Sequence, residues 1–115
     1  MASDRMRRVD EAVRQVLTEA VAQDLQDPRI GFVTMTSVKT TSDLRHARVY
    51  VSVLGDDEQR AATLAGLASA HGALQRRLAR ELRMKRTPTL EFLYDDTTDR
   101  AMRLEQIIER EAREA

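Results

Sequence analysis

The segment LRHARVYVSVL, Leu44 to Leu54, alternates apolar and polar side chains. Ala47, Val49, Val51 and Val53 fall on one face, and Arg48, Tyr50 and Ser52 on the other. That period of two belongs to a half-buried strand. Its dry face must be covered by other elements, so the chain has to supply a sheet with helices packed on one side. The covering layer must be aliphatic, because aromatic residues make up 3% of the chain and Trp is absent. A length of 115 residues suits one domain and not two.

The remaining periodicities supply the parts. FVTMTSVKT, Phe32 to Thr40, is a second strand, joined to the first by the polar turn Thr41 to Asp43, so the two form a hairpin. Residues 5–26 repeat Val9, Ala12, Val13, Val16, Leu17, Ala20, Val21 and Leu25 at helical spacing. Asp10 and Arg14 make an acid-first pair on that helix, and Pro28 ends it. Asp56 or Asp57 caps a helix through Ala61, Leu64, Ala65 and Leu67 toward Gly72, and a further helix continues to about Arg86. TPTLEFLY, Thr87 to Tyr94, is a third strand with Leu90 and Phe92 on one side. Thr98 or Asp99 is expected to cap a last helix, in which Met102, Leu104, Ile107 and Ile108 are available for packing. This terminal helix, about residues 100–115, is expected to fray, its end EREAREA being polar all round. Residues 1–115 thus read as a single α+β domain, expected to be a monomer because no exposed apolar stripe is in view.

Formal net charge is zero, but the charge is unevenly spread. Residues 75–86 hold Arg76, Arg77, Arg80, Arg83, Lys85 and Arg86 against one acid, Glu81, while acids gather at Asp56-Asp57-Glu58 and at Asp95, Asp96 and Asp99. At 100° per residue, Leu74, Leu78 and Leu82 span roughly 0–80° of the wheel and Arg76, Arg80 and Arg83 roughly 180–240°. The leucines bury and the arginines form a ridge opposite, flanked by Arg77. Such a ridge reads either as an ordinary solvated face or as a phosphate-binding footprint. Arg5, Arg7, Arg8 and Arg14 extend the basic region on the first helix. Arg45, Arg48 and Tyr50 add to it from the outer strand face, and Arg29 either reaches a phosphate or steadies its own turn. Gly72 costs about 1 kcal/mol relative to Ala inside a helix. It marks either a close approach of another element or a kink that re-aims the ridge.

Several classes are excluded. Without cysteine there is no disulfide, thiol nucleophile or thiolate metal site, which fits a reducing cytoplasm. His46 and His71 have no partners at triad or metal spacing, and the acids from Asp95 to Asp99 read as a helix start. No catalytic residue, metal site or cofactor is expected. Neither a secretory signal nor a membrane span is expected.

In order, DPRIGFVTMTSV, SDLRHARVYVSVL and AHGALQRRLARELRMKRTPTLEFLYDD resemble the ribosome-binding factor A family over nearly the whole chain. The resemblance implies a type II KH domain, helix–strand–strand–helix–kink–helix–strand, with a three-stranded sheet and helices packed on one face. KH domains usually clamp a single strand with a GxxG loop. This chain has none, and Ala70-His71-Gly72 stands in its place as a helix kink. Recognition is therefore expected through shape and phosphate. The implied function is 30S subunit maturation: binding 16S rRNA in the immature particle near the decoding region, assisting late rRNA processing and folding, then release helped by an assembly GTPase. The need for it would be greatest in the cold. The candidate rRNA-binding residues are Arg76, Arg77, Arg80, Arg83, Lys85, Arg86, Arg45, Arg48, Arg5, Arg7 and Arg8. The competing reading is a KH-like module whose basic face binds an acidic protein.

Overall fold

A computed structural model describes residues 3–114, apart from the side chains of Thr98 and Asp99. The element order is α1 (Asp4–Asp24), β1 (Val33–Thr40), β2 (His46–Val53), α2 (Asp57–Ser69), α3 (His71–Leu82), β3 (Thr89–Tyr94) and α4 (Thr97–Glu114). β1 and β2 pair antiparallel, β3 lies parallel to β2, and the sheet order is β1-β2-β3. This is the α+β arrangement that the resemblance implies.

The alternating strand behaves as its pattern requires. Val49 and Val51 of β2 are fully buried, with Ala47 and Val53 nearly so. Against them lie Val13, Leu17 and Ala20 of α1, Leu67 of α2, and Leu74 and Leu78 of α3. Each such aliphatic side chain contributes about 1.5–3 kcal/mol when fully buried. In β1 the register shifts between Met35 and Ser37. That bulge lets Met35 and Val38, three apart, both point into the core.

α1 starts on Ser3, whose hydroxyl accepts the Met6 N–H. Arg14 pairs with Glu11 rather than Asp10. Asp10 instead accepts the Thr40 N–H at 2.9 Å, tying the helix to the end of β1. The turn after α1 is steadied by Arg29, which donates to Asp27 at 2.6 Å and to Ser69 Oγ at 3.1 Å.

α2 begins with a capping box of Asp56 and Gln59. Its inner face differs from the simple apolar pattern. Thr63, Gly66 and Leu67 are buried, while Ala61 and Ala65 are exposed. The reason is the turn between α1 and β1, which packs here. The Thr63 hydroxyl donates to the Arg29 carbonyl at 3.3 Å and accepts the Gly31 N–H at 3.3 Å. A Cβ on Gly66 would lie 2.7 Å from Ile30 Cγ1.

The break between α2 and α3 sits at Ala70, with φ −87° and ψ 6°. Gly72 lies inside the first turn of α3, without a positive φ, and a Cβ there would meet nothing closer than Arg76 Nη1 at 3.5 Å. The kink is therefore real but does not need the glycine, and the close approach belongs to Gly66. His71 ties the new helix to the sheet, because its Nε2 accepts the Leu90 N–H at 2.9 Å. Gln75 donates to the Pro88 carbonyl at 2.9 Å, so α3 is joined to the start of β3 by two side chains.

Two helix ends differ from the sequence expectation. α3 stops at Leu82, and Arg83 takes the left-handed cap conformation with φ 51° and ψ 42°. Lys85 and Arg86 consequently sit in a loop rather than in the last helical turn. α4 starts at Thr97, so Thr98 and Asp99 fall inside its first turn, and their capping side chains lie outside the described residues. Asp95 takes the N-terminal role, accepting the Thr97 N–H at 3.0 Å. Met102, Leu104, Ile107 and Ile108 do not pack; each is 49–58% exposed. Leu104, Ile107 and Ile108 share one side of the helix, so an exposed apolar stripe exists, and the ground for expecting a monomer is removed.

The two glycines give opposite expectations. Gly72→Ala should raise stability by about 0.5–1 kcal/mol, the ordinary helix gain. Gly66→Ala should lower it by about 1–3 kcal/mol, because Ile30 must move out of a packed contact. Urea denaturation of both variants checks this, and a stabilised Gly66→Ala would overturn the packing account.

Candidate nucleic-acid interface

The zero net charge is divided along the sheet. β2 and β3 run parallel, and the segments after them carry Asp56 with Asp57 and Glu58 of the first turn of α2 in one case and Asp95 and Asp96 in the other. At the opposite end stand the β1–β2 turn, the first turns of α1 and the loop between α3 and β3. These three segments meet around an open cleft of about 740 Å³. Arg8 reaches it from α1, Arg45 from the β1–β2 turn, and Lys85 and Arg86 from the loop after α3. Val9, Ala12, Leu44, Leu82 and Met84 form its apolar part, and Asp43 is its one acid.

Asp43 is occupied. It accepts from the Thr41 hydroxyl at 2.6 Å and from the Arg45 N–H at 3.0 Å. These bonds hold its carboxyl below its usual range, the Thr41 hydroxyl most strongly. Arg45 lies 4.0 Å from it, a loose exposed pair. Arg8, Lys85 and Arg86 have no ion-pair partner among the described residues. Four cations thus surround an apolar floor with little internal neutralisation.

On α3 the wheel places Arg76 and Arg80; Arg83, beyond the end of the helix, is exposed as well but not by helical periodicity. Arg76, Arg80 and Arg83 are exposed, opposite buried Leu74 and Leu78, and none has an ion-pair partner among the described residues. The ridge ends at Arg83, whose neighbours Leu82 and Met84 line the cleft. Arg77 stands apart from these. Its side chain is 13% exposed and donates to Asp24 at 2.8 Å and Gln23 at 3.1 Å, and it also pairs with Glu81. It fastens α3 to the end of α1, and its charge is spent on that contact. Arg7 pairs with Asp4, leaving Arg5 and Arg8 as the open cations of the first two turns. Arg48 is on the wet face of the sheet, across from Lys39 and 3.9 Å from Glu91. Tyr50 is half-buried on that face, and Arg29 serves its turn.

Sequence reasoning missed the floor of the cleft. A signal was present, because Leu44 and Met84 are single apolar residues inside the polar runs SDLR and RMKR. Among the described residues no three His, Asp or Glu side chains gather as metal ligands. No described helix is long and apolar enough to cross a membrane.

The chain is similar to known proteins in both sequence and fold. A family model described as Ribosome-binding factor A matches residues 5–108. A Geobacter sulfurreducens protein named Ribosome-binding factor A is 42% identical over 105 residues, covering 91% of this chain and 89% of that protein. The crystal structure of ribosome-binding factor A from Thermus thermophilus matches with a TM-score of 0.69 at 32% identity, covering 77% of this chain and 93% of that one. A homology model of the Thermus thermophilus ribosome binding factor A, fitted into a cryo-EM map of its 30S complex, matches with a TM-score of 0.62 at 34% identity over 75% of this chain and 90% of that one.

Arg77→Ala should lower the melting temperature by several degrees, whereas Arg76→Ala and Arg80→Ala should leave it nearly unchanged; thermal denaturation of the three variants tests the division. Acid should destabilise the fold by a definite route. Glu11, Asp27, Asp43 and Asp95 all titrate below their usual ranges, held down chiefly by hydrogen bonds from Arg14, Arg29, Thr41 and Thr97 respectively. The unfolded chain then binds protons first, so stability is complete above the ordinary values of 3.8 and 4.5 and falls as pH drops below them. Melting temperature measured against pH should be flat from neutrality to about pH 5 and then decline. A flat profile down to about pH 3 would refute this assignment.

Proposed function

Because the chain belongs to the ribosome-binding factor A family, we propose that it binds the small ribosomal subunit through 16S rRNA, using the basic end of its sheet. The observation that carries the reading is the convergence of Arg8, Arg45, Lys85 and Arg86 from three separate elements onto one cleft, with the exposed Arg76 and Arg80 along the outer face of α3 and Arg83 at its end. Cations gathered in this way neutralise phosphates and release their counterions. The Thermus relative seen with the 30S subunit supports the choice of partner. The substrate particle is the immature subunit, met in the cytoplasm during late rRNA processing and folding. Release is assisted by an assembly GTPase, and the requirement is sharpest at low temperature. The protein acts by binding and shaping RNA, without catalysis.

Co-sedimentation with immature and mature 30S subunits over a salt series tests the proposal. Association should favour the immature particle and weaken with salt. Replacing Arg76, Arg80 and Arg83 by Glu should leave the circular dichroism spectrum intact, since all three point away from the core. It should weaken association by well over tenfold and flatten the log–log salt slope by about two to three, for roughly three lost phosphate contacts. Unchanged association would place the site elsewhere on the surface. Retention of a protein partner in the face of excess rRNA would favour the acidic-protein reading.

A further inference from the structure

We propose that the cleft at the basic end holds one unpaired nucleotide, its base on the apolar floor and its neighbouring phosphates on the rim. The proposal rests on the rRNA-binding reading and names what that site takes. A groove that met phosphate alone would need cations and no floor. Here half of the lining is apolar: Val9, Ala12, Leu44, Leu82 and Met84. Val9 and Leu82 also lean on the core, but Leu44 and Met84 do not. Two half-buried apolar side chains that do nothing for the core face a cavity ringed by Arg8, Arg45, Lys85 and Arg86. The volume is that of a small-molecule site, enough for a base and its ribose.

Backbone strain marks the same place. Among the described residues, Leu44 (φ 60°) and Arg83 (φ 51°) are the non-glycine residues with positive φ. Leu44 lines the cleft, and Arg83 sits between Leu82 and Met84, which also line it. Glycine or asparagine suits such positions better, and a bulky leucine there is a true outlier. Strain of this kind gathers where a side chain is needed for binding. At Leu44 the conformation delivers the side chain to the floor. At Arg83 it turns the chain out of α3 and sends Met84 to the cleft and Lys85 and Arg86 to its rim.

No aromatic residue lines the cleft, so the base is not held by ring stacking. It lies on the Met84 and Leu44 side chains under a guanidinium plane, for which Arg8 and Arg45 are placed. Guanidinium planes stack on splayed bases much as aromatic rings do. An amphipathic helix with acidic flanks, such as α4 of another copy, is the rival occupant. It would engage through anchors along a groove several turns long. The basic rim, in which Asp43 is the one acid, and the compact floor favour the nucleotide.

The test uses fluorescence anisotropy with a random pool of octaribonucleotides and an octamer of abasic ribose phosphates. Wild-type protein should bind the base-bearing pool about tenfold more tightly than the abasic octamer, the worth of taking about 60 Å² of base surface out of water on the apolar floor. Leu44→Gly keeps every cation and suits the positive φ, so the fold is retained. Met84→Ser is the second variant. Each should weaken the base-bearing pool about fivefold and leave the abasic octamer unchanged, for loss of part of that apolar burial. Equal binding of the two probes by wild type would overturn the proposal, as would an undiminished preference in both variants. Displacement of the pool by a peptide of residues 97–114 at comparable affinity would also overturn it, in favour of a helix groove. Wild type that sediments with 30S but shows no base preference defeats the nucleotide cleft alone. Wild type that does not sediment with 30S defeats the functional reading beneath it.

Discussion

Burial of the valine face of β2 is the constraint on which the structure depends. Val49 and Val51 are sealed by Leu17 from α1 and by Leu74 and Leu78 from α3. With almost no aromatic side chains, the layers must approach closely to exclude water, and small residues make that possible. Ala20 and Ala47 lie fully or nearly fully buried between them, and Gly66 lets Ile30 press against the backbone of α2. Because α1, α2 and α3 are all consumed on one face, the other face and both ends of the sheet are left to water.

What those ends carry follows from strand direction. The parallel pairing of β2 and β3 delivers the loops after them to one end, and both are acidic. The other end collects the start of α1, the β1–β2 turn and the loop before β3, and these are basic. A chain of zero net charge thereby becomes strongly polarised, with a field at one end suited to a polyanion. Position within α3 then separates arginines of similar sequence context. Arg77 turns inward and is matched by Asp24 and Glu81, while Arg76 and Arg80 turn outward and remain unmatched among the described residues.

The joint between α2 and α3 shows how little chemistry a kink requires. Ala70 opens the helix, its N–H shared between the Gly66 and Leu67 carbonyls at 3.1 Å. His71 and Gln75 then hold the new helix against β3. A clamp loop would have exposed backbone amides at this point to a bound strand. Here the helix resumes at once, and the cleft-lining Lys85 and Arg86 follow only after the left-handed cap at Arg83.

Local pattern was enough for the elements, their order and the covered face, because alternation at β2 and helical spacing in α1 and α3 are properties of neighbouring residues. The cap at Asp56 or Asp57, which the structure places at Asp56, and the outward turn of Arg76 and Arg80 were legible for the same reason. The resemblance supplied the family. Tertiary structure alone decided what depends on contacts between distant segments. It moved the indispensable glycine from Gly72 to Gly66, since only the packed turn at Ile30 makes a side chain there costly. It ended α3 at Arg83 and freed Lys85 and Arg86 from the helix. It left the α4 apolar residues uncovered, because three helices already fill the dry face. It also brought Arg8, Arg45 and Lys85 to one cleft, a meeting between residues that sequence separates by 37 and 40 positions and that only the sheet's geometry could arrange.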